Sequence, residues 1–218
     1  GIRIESSWND TVSASISNGN NFGINLSTCT GSVVTGNTAN SNAIVGTFDG
    51  YGISVSGSNN TITGNTANSN YADDPSPFSL YGIYVSSPNS TISGNTANSN
   101  IGGPSGGVSA RGIYIAASNC TISNNTANSN DKGAGSDAYG IYLSICSNNT
   151  VSGNVANSNS TGGFYLSSCS GVIVSNNMVD SNADAGIYLV TSSNITLVQN
   201  TVDSNARYQI YIDGLSSS

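Results

Sequence analysis

A motif of the form GIYVSS-x-N-x-TISGNTANSN recurs along the whole chain. Its copies begin at Gly1, Gly23, Gly52, Gly82, Gly112, Gly140, Gly163, Gly186 and, as a partial copy, Gln209. Successive starts lie 22, 29, 30, 30, 28, 23, 23 and 23 residues apart. Repeats with a period of roughly 20–50 residues are typical of solenoids and related arrays, in which each repeat forms one structural unit. The sequence therefore predicts eight full coils and one partial coil.

Apolar and polar residues alternate within each copy, which is the periodicity of a β-strand. Alignment of the copies places the apolar residues in four columns: Ile2, Ile24, Ile53, Ile83, Ile113, Ile141, Phe164, Ile187, Ile210; Ile4, Leu26, Val55, Val85, Ile115, Leu143, Leu166, Leu189, Ile212; Val12, Val34, Ile62, Ile92, Ile122, Val151, Val174, Leu197; and Ala39, Ala67, Ala97, Ala127, Ala156, Val179, Val202. Stacked at ~4.8 Å, these columns make a thin continuous core. The predicted fold is all-β, a right-handed parallel β-helix (β-solenoid) that forms a single domain over residues 1–218.

Four of the junctions between copies are longer than the others. The extra residues always fall between the closing NSN and the next glycine, at 43–51, 71–81, 101–111 and 131–139. Three of the four prolines, Pro75, Pro77 and Pro104, lie in these insertions, where no central strand needs their missing amide donor. We expect the insertions to project from one corner of successive coils.

Two columns of asparagine accompany the apolar columns. They hold Asn20, Asn42, Asn70, Asn100, Asn130, Asn159, Asn182 and Asn205, and Asn37, Asn65, Asn95, Asn125, Asn154, Asn177 and Asn200. Asparagine tolerates the left-handed conformation of tight corners, and stacked amides can hydrogen-bond from coil to coil. We interpret both columns as structural.

The coil GIYLS…NNTISGNTANSN resembles the NosD-type, carbohydrate-binding and sugar-hydrolase repeats of the pectate-lyase-like superfamily, over essentially the whole chain. The near-identical NTANSN segments also resemble large secreted surface proteins of methanogenic archaea, some of which build extracellular sheaths. The first resemblance implies the β-helix fold. The second implies a location at the cell surface.

The charge and composition exclude two classes of partner. Only 7 % of the residues are charged, against roughly 25 % in ordinary domains. The net charge is −7 with four basic residues, so no basic stripe for nucleic acid exists, and no apolar run reaches a membrane span. Because the chain starts without Met, on the strand pattern GIRIE, we interpret it as a mature product or an excised fragment, so the lack of a signal peptide does not indicate a compartment.

The resemblance to polysaccharide lyases and hydrolases raises the question of catalysis. Such lyases use a basic residue beside calcium-binding carboxylates, and such hydrolases use clustered aspartates with a histidine and an Arg-Lys pair. This chain has no histidine, and its single lysine, Lys132, lies in an insertion. We therefore expect no catalytic residues, no cofactor and no lyase or glycosidase activity.

Acidic residues supply the one metal candidate. Asp180 and Asp203 occupy the same register of adjacent coils, about 5 Å apart, and such a pair repels unless a proton or cation joins it. Calcium would suit this pair, and an exposed solvated pair is the alternative. Asp49, Asp73, Asp74, Asp131 and Asp137 fall in the insertions, where solvation of a loop is the interpretation and a catalytic pair the alternative.

A tyrosine column lies between the two inward apolar columns and is expected to face outward. It holds Tyr84, Tyr114, Tyr142, Tyr165, Tyr188 and Tyr211. An outward aromatic stripe this long indicates a contact surface, for another subunit or for sugar rings, although tyrosine also suits any exposed strand. A separate outward array of Thr and Ser in the TIS segments resembles the flat threonine arrays of ice-binding solenoids, although Val33 and Ile173 interrupt it. Ice binding is therefore a minor alternative.

The cysteines Cys29, Cys120, Cys146 and Cys169 have no zinc spacing. Cys146 and Cys169 share a register in adjacent coils and could form a disulfide. Cys29 and Cys120 are three coils apart, ~14 Å, which is too far to bridge. We therefore expect cross-links between subunits, through Cys29 first and Cys120 second.

Sequons for N-glycosylation are frequent and permit a glycosylated surface. They are at Asn9, Asn25, Asn59, Asn89, Asn119, Asn124, Asn148, Asn159 and Asn194.

The strand patterns at both ends, Gly1–Glu5 and Gln209–Asp213, show no capping helix or charge cluster. Open strand edges recruit further strands, which predicts end-to-end stacking of the chain with itself. The leading hypothesis is thus a secreted, non-enzymatic structural protein that assembles into a surface layer, sheath or fibre. The alternative is a carbohydrate-binding or polysaccharide-processing β-helix with glycans as partners.

Overall fold

The computed structural model describes residues 1–44, 49–73, 79–104 and 107–214. In these residues the chain winds through successive coils whose strands all pair in parallel with the equivalent strands of the neighbouring coils. The predicted β-helix is confirmed. Parts of three predicted insertions, at 45–48, 74–78 and 105–106, lie outside the described residues, and Asp74, Pro75 and Pro77 with them.

The described strands are, in chain order, β1 (Ile2–Glu5), β2 (Thr11–Ser13), β3 (Ile24–Thr30), β4 (Val33–Thr35), β5 (Ala43–Ile44), β6 (Gly50–Ser58), β7 (Thr61–Thr63), β8 (Tyr71–Ala72), β9 (Leu80–Ser86), β10 (Thr91–Ser93), β11 (Ala110–Ile115), β12 (Thr121–Ser123), β13 (Ala138–Ser144), β14 (Thr150–Ser152), β15 (Gly162–Ser167), β16 (Ile173–Ser175), β17 (Met178–Asp180), β18 (Ala185–Val190), β19 (Thr196–Val198), β20 (Thr201–Asp203) and β21 (Tyr208–Asp213). None of the described segments forms a helix with the length and apolarity that a membrane span requires.

Two long sheets form the walls of the coil. The first has nine strands in the order β1-β3-β6-β9-β11-β13-β15-β18-β21, and the second has eight, β2-β4-β7-β10-β12-β14-β16-β19. Short strands close the corners, with β17 on β20 and β5 on β8. The predicted end-to-end stacking stays a prediction.

Register between coils follows the predicted columns. In the first sheet Ile113 pairs with Ile83 and Ile141, and in the second Ile92 pairs with Ile62 and Ile122. These side chains are fully buried, because alternate residues of each strand point into the coil. The apolar columns of the full coils therefore form the continuous core that the repeat predicted, whereas Ile210 and Ile212 of the partial coil are exposed.

A glycine opens each coil because the backbone there has no room for a side chain. A Cβ on Gly82 would lie 2.6 Å from Nδ2 of Asn100 and 2.7 Å from the carbonyl oxygen of Gly112. The equivalent glycines at 52, 112, 140, 163 and 186 meet the same obstruction. In this arrangement the residue before the glycine can pack against the residue two after it on the outer side of the first sheet, as the 5.2 Å between the rings of Tyr81 and Tyr84 shows, although Tyr81 itself is buried.

The two asparagine columns form buried hydrogen-bonded ladders. Nδ2 of Asn65 donates to Oδ1 of Asn95 at 3.0 Å, Nδ2 of Asn95 donates to Oδ1 of Asn125 at 2.9 Å, and the second column repeats this pattern. One detail of the prediction is wrong. The left-handed conformation belongs to the residue before each ladder asparagine, such as Gly94 or Ser99, because the amide must point inward to bond.

Candidate functional site

The six predicted tyrosines form a continuous row on the outer surface of the first sheet. We call this set the tyrosine row: Tyr84, Tyr114, Tyr142, Tyr165, Tyr188 and Tyr211. All six side chains are half-buried, and neighbouring ring centroids lie 4.6–5.6 Å apart. The rings of Tyr84 and Tyr114 are nearly parallel, with an interplanar angle of 9°. The row is thus a strip of contacting rings, stacked from Tyr84 to Tyr165 and tilted or edge-to-face from there to Tyr211.

A second row, which the sequence analysis missed, lies beside the first. It consists of side chains at the position before the opening residue of a coil: Phe22, Tyr51, Tyr81, Arg111, Tyr139 and Tyr208. Gly162 and Ala185 occupy this position in the two coils between Tyr139 and Tyr208, so the row is interrupted there. Its rings contact one another and the tyrosine row, with 5.5 Å between Tyr51 and Tyr81 and 4.7 Å between Tyr139 and Tyr165. The repeated tetrapeptide YGIY at 81–84 and 139–142 was the available signal. The two rows together are called the aromatic face.

Arg111 replaces tyrosine in the middle of the second row, and its guanidinium lies over three rings. The distances from its Cζ to the ring centroids of Tyr81, Tyr114 and Tyr142 are 5.5, 5.4 and 4.6 Å. Nη1 donates to Oγ of Ser79 at 2.9 Å. Nε is buried and has no hydrogen-bond partner within the described residues.

Carboxylates border the aromatic face on the side of the second row. Backbone hydrogen bonds align this rim row, which holds Asp49, Ser79, Ser109, Asp137, Thr161, Asp184 and Arg207. Oδ2 of Asp184 accepts a hydrogen bond from the Tyr188 hydroxyl, and Oδ1 of Asp49 accepts one from the Ser79 amide at 2.9 Å. Oδ1 of Asp137 and Oδ1 of Asp184 are buried without a partner in the described part of the chain. Three unpartnered polar atoms, on Arg111, Asp137 and Asp184, thus lie along one surface.

Burial shifts the proton affinity of the aromatic face. It raises the pKa of Tyr81 and of Tyr142 to about 12, although the Arg111 charge beside both rings acts in the opposite direction. Burial, with the nearby Asp137 carboxylate, also raises the pKa of Tyr139. These phenols are therefore neutral hydrogen-bond donors at neutral pH.

Alkali is expected to unfold the chain as these tyrosines ionise. A raised pKa in the folded state gives stability that is complete below pH ~10, the value in the unfolded chain, and that is lost as the pH rises to 12. Absorbance of phenolate should therefore appear above pH ~10 together with loss of β-sheet circular dichroism. The same chain in denaturant should titrate near pH 10. Ionisation of Tyr81 and Tyr142 at pH 10 in the folded protein would contradict this.

The four cysteines are free thiols, and all are buried. The predicted disulfide between Cys146 and Cys169 is not formed, although their contact is real: a hydrogen bond to Cys169, together with burial, raises the pKa of the Cys146 thiol. The predicted cross-links between subunits through Cys29 and Cys120 are not supported. The Cys29 residue is 0 % exposed and its Sγ points to the carbonyl of Ile4, so it cannot reach another chain in this fold.

The metal candidates remain without further support. Asp180 pairs in register with Asp203, as the sequence indicated, and calcium binding there stays a prediction. Within residues 1–44, 49–73, 79–104 and 107–214, no group of three or more His, Cys, Asp or Glu side chains could hold a metal ion. Asp73 and Asp131 are exposed, whereas Asp49 and Asp137 belong to the rim row. The solvated-loop interpretation of those two is therefore corrected.

Glycosylation remains a prediction for most of the sequons. Exposed asparagines are Asn9, Asn59, Asn89, Asn119, Asn124, Asn148 and Asn194, and Asn25 is half-buried. Asn159 is the exception, because it lies in the buried ladder and donates to Asn182 at 3.0 Å. It is not available to a glycan in the folded chain.

Comparison with known families agrees with the geometry of the coils. A model described as the right-handed β-helix region matches residues 78–218, and a model described as periplasmic copper-binding protein (NosD) matches residues 1–135. No curated protein sequence matches the chain significantly. Nothing in these matches supports the resemblance to archaeal surface proteins.

Solved structures with the same fold are enzymes. A double mutant of the periplasmic alginate epimerase AlgG is 17 % identical and superposes with a TM-score of 0.68, over 99 % of this chain and 60 % of that one. AlgG itself is 18 % identical, with a TM-score of 0.55 over 97 % of this chain and 57 % of that one. The chain thus spans about 60 % of the length of the epimerase. A mannuronan C-5 epimerase module from Azotobacter vinelandii is 14 % identical, with a TM-score of 0.47 over 97 % of this chain and 71 % of that one.

The prediction of a non-enzymatic protein is contradicted by this likeness, since the structures that share the fold over nearly the whole chain are of enzymes. At such low identity the likeness itself establishes the fold, and epimerase activity is a property of those proteins. The copper in the NosD description does not fit the residues present, because the chain lacks histidine and its described part lacks a cluster of metal ligands. Both family models match more than half of the sequence. The chain therefore belongs to the right-handed β-helix family, and its residues 1–135 place it with the NosD proteins as well.

Proposed function

We propose that the chain binds a polysaccharide along its aromatic face, as a carbohydrate-binding or polysaccharide-processing β-helix. The observation that carries the proposal is the face itself: the half-buried rings of the tyrosine row, backed by the more buried rings of Tyr81 and Tyr139, beside a rim of carboxylates with unpartnered oxygens. Monomeric proteins seldom expose a continuous surface of this kind unless it contacts a partner.

Sugars match the chemistry of this surface. A pyranose has an apolar face of C–H groups that can lie on a tyrosine ring, and its hydroxyls can donate to a carboxylate at the ring's edge. Oδ1 of Asp137 and Oδ1 of Asp184 lack such donors within the described residues. The tyrosine row spans six coils, about 24 Å at strand spacing, so the partner is an extended polymer.

The proposed location is outside the cytoplasm, in the cell envelope or beyond it. The matching family is described as periplasmic and AlgG is named a periplasmic enzyme, which supports this. Self-assembly into a sheath stays a prediction, and the aromatic face supports the glycan-binding alternative better.

Loss of one ring from the middle of the tyrosine row should weaken binding. Tyr114→Ala removes a ring that stacks on both Tyr84 and Tyr142, and a truncated contact of this type costs about 1.4 kcal/mol, or tenfold in Kd. Retardation in native gels that contain acidic or neutral polysaccharides measures the affinity. Reducing-end and NMR assays on the same mixtures detect processing.

Thr121→Ala is the matched control, because Thr121 is exposed on β12 in the opposite sheet. It should bind like the unchanged chain. Equal retardation of all three proteins, or retardation of none in any polysaccharide, would contradict the proposal.

A further inference from the structure

Three of the four basic residues of this chain lie on the aromatic face or on the rim row beside it. Of its four basic residues, Arg3 lies in β1, Arg111 in β11 and Arg207 directly before β21. These are the first, fifth and ninth strands of the long sheet. Adjacent strands lie about 4.8 Å apart, so successive arginines are separated by about 19 Å along the coil axis.

The guanidinium of Arg111 is placed to bind an anion. It stacks on rings, which leaves the N–H groups in its plane free to bond a carboxylate in a bidentate manner. Only one of those donors is used, by Ser79, and Nε is buried without a partner in the described residues. The ion pair found in this part of the structure joins Arg3 to Glu5, so Arg111 has no carboxylate partner there. A partly buried cation in this state is stabilised by an incoming anion.

The surroundings of Arg111 disfavour a polymer with a charge on every sugar. Asp49, Asp137 and Asp184 follow the rim within three coils of it, and the net charge of the chain is −7. In such a polymer, only the carboxylate at Arg111 would meet a positive charge. The other carboxylates would lie near these aspartates, which repel them, and near neutral phenols, which cannot neutralise them. A polymer with widely spaced negative groups avoids that repulsion.

Arg3 and Arg207, near the two ends of the sheet, are expected to contribute less to anion binding than Arg111. Arg3 is exposed and paired with Glu5, and Arg207 is exposed and lies 5.0 Å from the ring centroid of Tyr208. They can attract a negative group at the surface, whereas Arg111 can enclose one. The geometry points to a heteropolysaccharide that carries one uronic acid per repeat, whose carboxylate binds Arg111 and whose neutral sugars lie on the tyrosines to either side. This inference rests on the proposed glycan-binding function and specifies its ligand.

The test compares three polysaccharides: gellan, whose repeat carries a single glucuronate; gellan with that carboxyl reduced to the alcohol; and alginate, which is a uronate throughout. Calorimetry at low and at physiological salt gives the affinities. The unchanged chain should bind gellan about tenfold more tightly than either other polymer, the usual effect of one charged hydrogen-bonded pair. The reduced polymer tests the inference with no change to the protein.

Arg111→Gln should lose the preference, so that gellan and reduced gellan bind alike, while Arg111→Lys should keep part of it. Lys132→Gln is the control, since Lys132 is the one cation placed away from the aromatic face. Alginate binding as tightly as gellan, or a preference that survives in Arg111→Gln, would overturn the inference and leave ring-dependent glycan binding intact. Absence of binding to all three polymers, and to neutral glucans, would overturn the proposed function with it.

Discussion

Replacement of Phe164 by alanine is expected to destabilise the folded chain by about 3–5 kcal/mol, the usual cost of an emptied aromatic site in a core. Phe164 is fully buried in β15, between Ile141 and Ile187 of the adjacent coils. A thin solenoid core cannot collapse around the cavity, because the ladders on both sides fix the spacing of the coils. Urea unfolding followed by circular dichroism measures the change.

Tyr165→Ala is the comparison, one residue further along the same strand and on its outer surface. Tyr165 is half-buried in the tyrosine row, so its loss should cost far less stability and should instead reduce glycan binding. If both variants lose the same stability, the assignment of Phe164 to the core and of Tyr165 to the binding surface is wrong.

The second large effect is expected from Asn95→Ala in the middle of a buried ladder. Asn95 accepts from the backbone amide and from Nδ2 of Asn65, both at 3.0 Å, and donates to the carbonyl of Ile62 at 2.9 Å. Alanine leaves the backbone amide of Asn65 without this acceptor, removes one of the two bonds of its Nδ2, which still donates to Val34, and removes the donor to Ile62. Each buried group that loses its partner costs about 1–3 kcal/mol. We expect a loss of about 3–5 kcal/mol in the free energy of unfolding.

Asn98→Ala gives a matched control within the same coil. Asn98 is half-buried, and its Oδ1 accepts a single bond, from the amide of Asn128 at 2.7 Å. Because water can replace that bond, the loss should be about 1 kcal/mol or less. Equal destabilisation by the two substitutions would mean that the ladder amides contribute no more than ordinary surface contacts.

Burial separates two kinds of asparagine that look alike in the repeat NTANSN. The first and last asparagines of the motif form the ladders, and the middle one lies at the surface. Asn159 illustrates the consequence, since a sequon that reads as a glycosylation site is closed by its place in the ladder. A stacked coil thus uses its ladder asparagines for cohesion, and these are not available for modification.

Features of the chain that repeat with the coil could be predicted from the sequence by itself. Parallel stacking brings equivalent residues of successive copies together, so the column from Ile2 to Ile210, the asparagine ladders and the tyrosine row all followed from the alignment of the motif. The period of two in a strand also separated inward Ile113 from outward Tyr114.

Where the two-residue alternation of a strand is interrupted, only the tertiary structure determines which side chains lie on the outer side of the sheet. At the opening glycines the close approach of the backbone leaves no room for a Cβ, and in several coils the residue before the glycine packs against the outer tyrosines. For this reason Tyr81, Arg111 and Tyr139 join the tyrosine row instead of belonging to the insertions. The burial of Cys29 likewise depends on the packing of a corner. The candidate binding site lies at this junction, because contacts between neighbouring coils, and no local pattern, bring its rings, its guanidinium and its carboxylates together.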